Sequence, residues 1–153
     1  MYKKLMTYED FDGNERTEEL YFNLTEQEVT EYQLSHNGGI TTLINRIIQA
    51  QDWKSMVEYW KEFILMCYGV KSDDGRRFVK NDIVREEFAS TNAFSDLFML
   101  LSTDDNEAAK FVNNVLPKKM RERLSGMEGE LKDIRNASSS SELVRKLNEK
   151  GYN

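Results

Sequence analysis

Residues 53–68, WKSMVEYWKEFILMCY, decide how the rest of the chain is read. Trp53, Met56, Val57, Trp60, Ile64 and Cys67 recur on one face of a helix with its period of about 3.6 residues. Tyr59, Phe63 and Met66 add a second apolar stripe beside the first. A helix apolar over so much of its girth is packed on several sides, so this one is expected at the centre of the core. Asp52 stands where an N-cap carboxylate accepts a free backbone N–H of the first turn. Gly69 follows the stretch and is expected to end the helix in the left-handed conformation, which glycine adopts without a Cβ penalty.

Upstream, Tyr2–Phe11 is rich in aromatic and β-compatible residues, and Asp12-Gly13-Asn14 is a turn signal. Arg16–Leu24 then alternates, with Leu20, Phe22 and Leu24 pointing one way and Glu19, Tyr21 and Asn23 the other. The pair reads as a β-hairpin. Two strands alone are marginal in water, so the apolar face must pack on helices. Thr25-Glu26-Gln27-Glu28 is a capping box opening a helix to about Leu34, and His36-Asn37-Gly38-Gly39 breaks it. Ile40, Leu43, Ile44, Ile47 and Ile48 mark a second helix before the Trp53 stretch.

Downstream, Gly69–Asn81 (GVKSDDGRRFVKN) reads as a polar loop, and Asp82 as the cap of a helix carrying Ile83, Val84 and Phe88. Ala89-Ser90-Thr91 marks a break or a new cap before the apolar face of Ala93, Phe94, Leu97, Phe98 and Leu101. Thr103-Asp104-Asp105 supplies caps and favourable negative charge to a helix with Ala108, Phe111, Val112, Val115 and Leu116 inside. Pro117 ends it, because the residue before proline disfavours the α region. Beyond it apolar residues thin out, and residues 138–141 are a serine run. The segment 118–140 is expected to fray, with a short terminal helix at Ser141–Lys150.

The expected fold class is therefore α+β and mostly helical: an N-terminal hairpin packed on five or six short helices. The expected division is a body at 1–117 and a variable tail at 118–153. At 153 residues and 39% hydrophobic, one domain with a sizeable core is the default. The net charge is −6, which argues against general affinity for nucleic acid or anionic membranes. Residues 117–153 hold nine Lys and Arg against six Asp and Glu, whereas residues 1–116 hold twelve against twenty-one. An acidic body thus precedes a mildly basic tail. A single cysteine excludes an intramolecular disulfide, and its place on the apolar helix face reads as a small buried thiol. Neither a signal peptide nor a membrane span is read in the sequence, and a reducing, cytoplasmic compartment fits these features.

Catalytic and metal chemistry find little support. Asp10-x-Asp12-x-Asn14 matches the opening of an EF-hand loop, but Glu15 stands where glycine is needed and Tyr21 where a bidentate Glu belongs. The only histidine, His36, precedes a glycine break and lacks companion ligands. No phosphate-loop pattern is present, and no cofactor is implied. The candidate partner-binding residues are Lys71, Arg76, Arg77, Phe78 and Lys80, which concentrate positive charge around an aromatic in an acidic body. They suit an acidic or helical partner, or they pair with acids of their own domain. The free edge of the hairpin is a second candidate surface.

The hairpin and cap TYEDFDGNERTEELYFNLTEQE (Thr7–Glu28) resemble the start of the tail assembly chaperones of long-tailed phages and prophages of Gram-positive bacteria. The resemblance continues through Gly38-Gly39, Tyr68–Asp82, Glu86–Leu101 and Ala108–Pro117, so it covers residues 2–117 in order. It implies a non-enzymatic protein of the host cytoplasm that is not retained in the mature virion. Such a protein would bind the tape-measure protein, keep it soluble and help recruit tail tube subunits, as a homo-oligomer. A longer frameshifted form is common in the family, and this chain resembles the shorter. The alternative reading is a phage or prophage adaptor that binds or inhibits a host protein.

Overall fold

The structure, a computed structural model, describes residues 1–50 and 52–125. In chain order the elements are β1 (Tyr2–Glu9), β2 (Glu15–Phe22), α1 (Glu26–Ser35), α2 (Gly39–Gln49), α3 (Trp53–Cys67), β3 (Tyr68–Lys71), β4 (Phe78–Val79), α4 (Asp82–Ala89), α5 (Asn92–Thr103), α6 (Asp105–Val115) and α7 (Lys118–Ser125). The four strands form one antiparallel sheet in the order β1-β2-β3-β4. The α+β expectation holds, with seven helices among the described residues and a sheet twice as wide as the expected hairpin.

Local sequence chemistry accounts for most boundaries. Around Gly13 (φ 83°) the Asp12-Gly13-Asn14 turn joins β1 to β2, with the Asp10 carboxylate accepting the amides of Asp12 and Asn14 at 2.9 Å each. The capping box at α1 is complete: the Thr25 hydroxyl accepts the Glu28 amide at 3.1 Å and Glu28 accepts the Thr25 amide at 3.0 Å. Asp52 caps α3 through the Ser55 amide at 2.7 Å. Thr91 and Asp104 cap α5 and α6 in the same way. Asn81 rather than Asp82 caps α4, its side chain accepting the Val84 amide at 2.8 Å while Asp82 becomes the first helical residue.

The inner face of the sheet and the helices share one core. Leu20, Phe22 and Leu24 point into it, as the alternation required, together with Tyr2, Met6 and Tyr8 of β1. Phe22 and Phe111 are its hubs. Phe22 meets the rings of Tyr2, Tyr68, Phe88 and Phe111, and Phe111 meets those of Tyr2, Phe22, Trp60 and Phe63. From α3 the core takes Met56, Trp60, Phe63, Ile64 and Cys67. Trp53 departs from the expected inner face: it sits in the first turn of α3 and is 56% exposed. Helices α5 and α6 pack beneath β1, and α4 beneath β3.

The largest correction concerns Gly69–Asn81. This segment is a second hairpin that widens the sheet, not a loop. Gly69 is therefore no left-handed cap: α3 ends at Tyr68 with extended backbone (φ −70°, ψ 141°), and the chain runs straight into β3. Glycine is required at 69 for another reason. A Cβ there would lie 2.7 Å from the Phe78 ring, which rests directly on the strand. The first part of the segment expected to fray is helical over Lys118–Ser125. The rest of the tail, including the expected helix at Ser141–Lys150, lies outside the described residues.

Candidate functional site

The β3–β4 hairpin is built around Ser72 and Asp74. Ser72 donates its amide to Arg77 O at 2.8 Å and accepts the Gly75 amide at 2.9 Å on its carbonyl. Its hydroxyl donates to Asp74 at 2.7 Å and accepts the Arg77 amide at 3.0 Å. Asp74 also accepts the Arg76 amide at 3.0 Å. The Ser72 hydroxyl, and then the Arg76 amide, hold the Asp74 carboxyl below the usual carboxylate range. A closed turn of this kind projects its remaining side chains from a fixed base. Arg76 and Arg77 are exposed at this tip, with no ion pair to any described residue.

Lys71 and Phe78 are direct partners across β3 and β4 and lie on the outer face of the sheet. Cross-strand register places Tyr21 opposite Gly69 and Lys3 opposite Tyr21, so these residues share that face. Lys71 Nζ lies 5.5 Å and Lys3 Nζ 5.7 Å from the Tyr21 ring centre, within cation–π range. Leu5 completes the face on β1 and is 66% exposed. Lys3, Leu5 and Tyr21 were not singled out as site residues from the sequence. The signal was present in the alternation, which points Tyr21 away from Leu20 and Phe22, but cross-strand register alone shows that they join Lys71 and Phe78.

Lys80 has a different place. Its Nζ donates to Asn23 O at 2.6 Å, Glu28 Oε2 at 2.6 Å and Met66 O at 3.1 Å, and its side chain is 9% exposed. All three protons of the ammonium are used inside the fold. The last four carbonyls of α3 can now be accounted for in full. Ile64 O accepts the Tyr68 amide, Leu65 O the Arg85 side chain, Met66 O the Lys80 side chain and Cys67 O the Asn23 amide. Two cations sit at the negative end of the helix, where its dipole favours them. The five basic-segment residues thus divide: Arg76 and Arg77 at the tip, Lys71 and Phe78 on the outer face, and Lys80 in the frame.

The remaining candidates have structural partners. Asp10, the first residue of the calcium-like segment, bonds the turn amides and Arg16 Nε at 2.8 Å. Among the described residues no cluster of three or more His, Cys, Asp or Glu is arranged to hold a metal. The His36 ring stacks on Tyr32 at 3.9 Å. Cys67 is fully buried, and burial pushes its thiol well above its ordinary pKa. No described helix is long and apolar enough to cross a membrane.

No curated protein and no solved structure matches the chain. One family model does match, that of the phage tail assembly chaperones, and it spans residues 1–150. That span includes the hairpin, the central helix, the basic segment and most of the tail, and on it the chain belongs to the phage tail assembly chaperone family.

Proposed function

We propose that the protein binds the tape-measure protein during tail assembly, keeps it soluble and helps recruit tail tube subunits. It acts as a homo-oligomer in the host cytoplasm, without catalysis, and leaves before the tail is complete. Family membership supports the assembly role. The observation that supports a binding surface is the outer face of the sheet, where Leu5, Tyr21 and Phe78 lie among Lys3 and Lys71, with Arg76 and Arg77 at the adjoining tip. In a chain of net charge −6 this mixture suits an amphipathic client helix with acidic residues beside its apolar stripe. Each large apolar client side chain covered there contributes roughly 1.5–3 kcal/mol, and repeated weak sites in an oligomer add avidity while each contact stays reversible.

The test is co-expression of the full chain with the tape-measure protein of the same phage, beside an Arg76→Glu/Arg77→Glu variant. A soluble complex with the parent, weakened in the variant and by salt, is the expected result. A tape-measure protein that stays insoluble and unbound with the parent refutes the client assignment. Recovery of a host protein in its place favours the adaptor reading.

A further inference from the structure

The sheet has two edges, and hydrogen-bond phase distinguishes them. The Asp10 amide donates to Asn14 O, in the register that pairs β1 with β2. Antiparallel strands alternate hydrogen-bonded and non-bonded pairs, so the even residues Tyr2, Lys4, Met6 and Tyr8 direct their backbone groups toward β2. The odd residues Lys3, Leu5, Thr7 and Glu9 direct theirs outward. The outward phase has an independent witness: Glu9 O accepts the Asn92 side-chain amide from α5 at 2.8 Å. The amides and carbonyls of Lys3, Leu5 and Thr7 have no such partner among the described residues. At the opposite edge, the Ser72 amide bonded to Arg77 O fixes the phase of β4 and leaves only Phe78 directed outward. The long open edge is β1.

We propose that two copies of this chain pair through β1, antiparallel and centred on Leu5. The inference rests on the self-association included in the proposed function and names its surface. Centred on Leu5, Leu5 faces Leu5, and Lys3 faces Thr7 at both ends. Six backbone bonds form across the seam, and every outward group of Lys3, Leu5 and Thr7 is used. Glu9 stays with Asn92, which stops the pairing at that end. Glu9 held by Asn92 disfavours a register centred on Met6, and charge disfavours those on the other side. Registers centred nearer the N-terminus place Lys3 opposite Lys3 or Lys4 opposite Lys4, and like charges directly opposite are destabilising. Centred on Leu5, each Lys3 is instead diagonal to Glu9 of the other copy on the outer face, within reach of a long side chain. The 66% exposed Leu5 becomes the symmetric centre of an isologous contact. The product is a continuous eight-stranded sheet about 34 Å across, on which the outer faces of both copies join.

Three variants of the untagged full chain test it. Leu5→Cys places the sole accessible thiol at the two-fold centre, because Cys67 is fully buried. Directly opposite, hydrogen-bonded residues have Cα atoms about 5.5 Å apart, which suits a disulfide. Under mild oxidation Leu5→Cys is expected to form a covalent dimer at least about tenfold faster than Thr17→Cys, an exposed control on β2. Leu5→Pro removes an outward N–H that takes no part in the β1–β2 ladder. It is expected to keep the circular dichroism of the parent while weakening self-association by at least about tenfold in sedimentation. Cross-linking of Leu5→Cys no faster than the control overturns the inference, as does a folded Leu5→Pro chain that self-associates like the parent. Should Leu5→Pro not fold, the cysteine pair still decides. Cross-linking through Leu5 with an insoluble tape-measure protein sinks the client assignment alone; a soluble client complex without cross-linking sinks the edge pairing alone.

Discussion

Replacing Lys80 by Met tests whether the basic segment is part of the frame. Met keeps most of the side-chain length and removes only the ammonium with its three bonds. Asn23 O and Met66 O then lose their side-chain donor, and a buried acceptor left unsatisfied costs roughly 1–3 kcal/mol. Glu28 loses its ion pair but is 29% exposed and keeps its bond from the Thr25 amide, so its share is smaller. Removing the ammonium also relieves the cost of having desolvated it. Breaking a buried pair costs roughly 3–5 kcal/mol, and the partial hydration of Glu28 places this one near the low end, about 3 kcal/mol. For a chain of this length that lowers Tm by about 6–12 °C. Urea melts of the parent, Lys80→Met, Glu28→Gln and the double variant measure the loss and the coupling. Lys80→Arg is expected to fail as well, because a planar guanidinium does not fit three acceptors converging on one point. A loss under about 1 kcal/mol in Lys80→Met, or full tolerance of Lys80→Arg, would refute the account of how α3 is terminated.

Two further predictions concern the glycine positions and the α3 cap. Gly38→Ala combines a positive φ of 82° with a Cβ that would run into Thr42 Oγ1 and lie 2.7 Å from Thr42 Cβ, whereas Gly75→Ala carries a positive φ of 75° and meets nothing within 4 Å. Gly75→Ala should therefore cost only the left-handed penalty of about 1–2 kcal/mol and Gly38→Ala clearly more; equal losses in denaturant melts would contradict the clash. At Asp52 the Ser55 amide, and next its hydroxyl, hold the carboxyl below its ordinary range. The unfolded chain takes up its proton first, near pH 3.9, so this stabilisation is complete above that pH and is lost as pH falls through the lower folded value. Asp52→Asn keeps a cap that does not titrate, so its melting temperature should fall less than the parent's between pH 7 and pH 3; parallel curves would rule the linkage out.

Most helices were legible because their signals are local. The Thr25/Glu28 box, the Asp52, Thr91 and Asp104 caps and the apolar faces of α2, α3, α5 and α6 each lie within a few turns of sequence. The second hairpin was not legible, because β3 has four residues and β4 two, too few to show alternation, and the turn between them, Ser72–Arg77, is crowded with charge. The partners that bring β3 into the sheet, Tyr21 and Phe22, lie more than forty residues upstream. Gly69 carried a misleading signal, since a glycine after a helix usually reports a left-handed cap and here reports a ring lying against a strand. Lys80 was indistinguishable from Arg76 and Arg77 in the sequence, as its acceptors sit 14, 52 and 57 residues away. Trp53 fell on the right helical face but in the first turn, where α3 extends past the core.

The division of the basic segment bears on how a tip loop can carry a binding role. Arg76 and Arg77 stand on a turn closed by Ser72 and Asp74, and that turn joins strands whose far ends are fixed to the core. Tyr68, at the start of β3, stacks on Phe88 at 4.0 Å, and Lys80, just after β4, ties the hairpin to the ends of β2 and α3 and the start of α1. Both legs of the hairpin are thus anchored where the central helix ends. On the function proposed above, a client at the tip would press against α3, and little ordering entropy would remain to be lost on contact. In that proposal Lys80 supplies the anchor and Arg76 and Arg77 the contact with an acidic partner, so charge reversal at the tip should weaken client binding without the loss of stability expected for Lys80→Met.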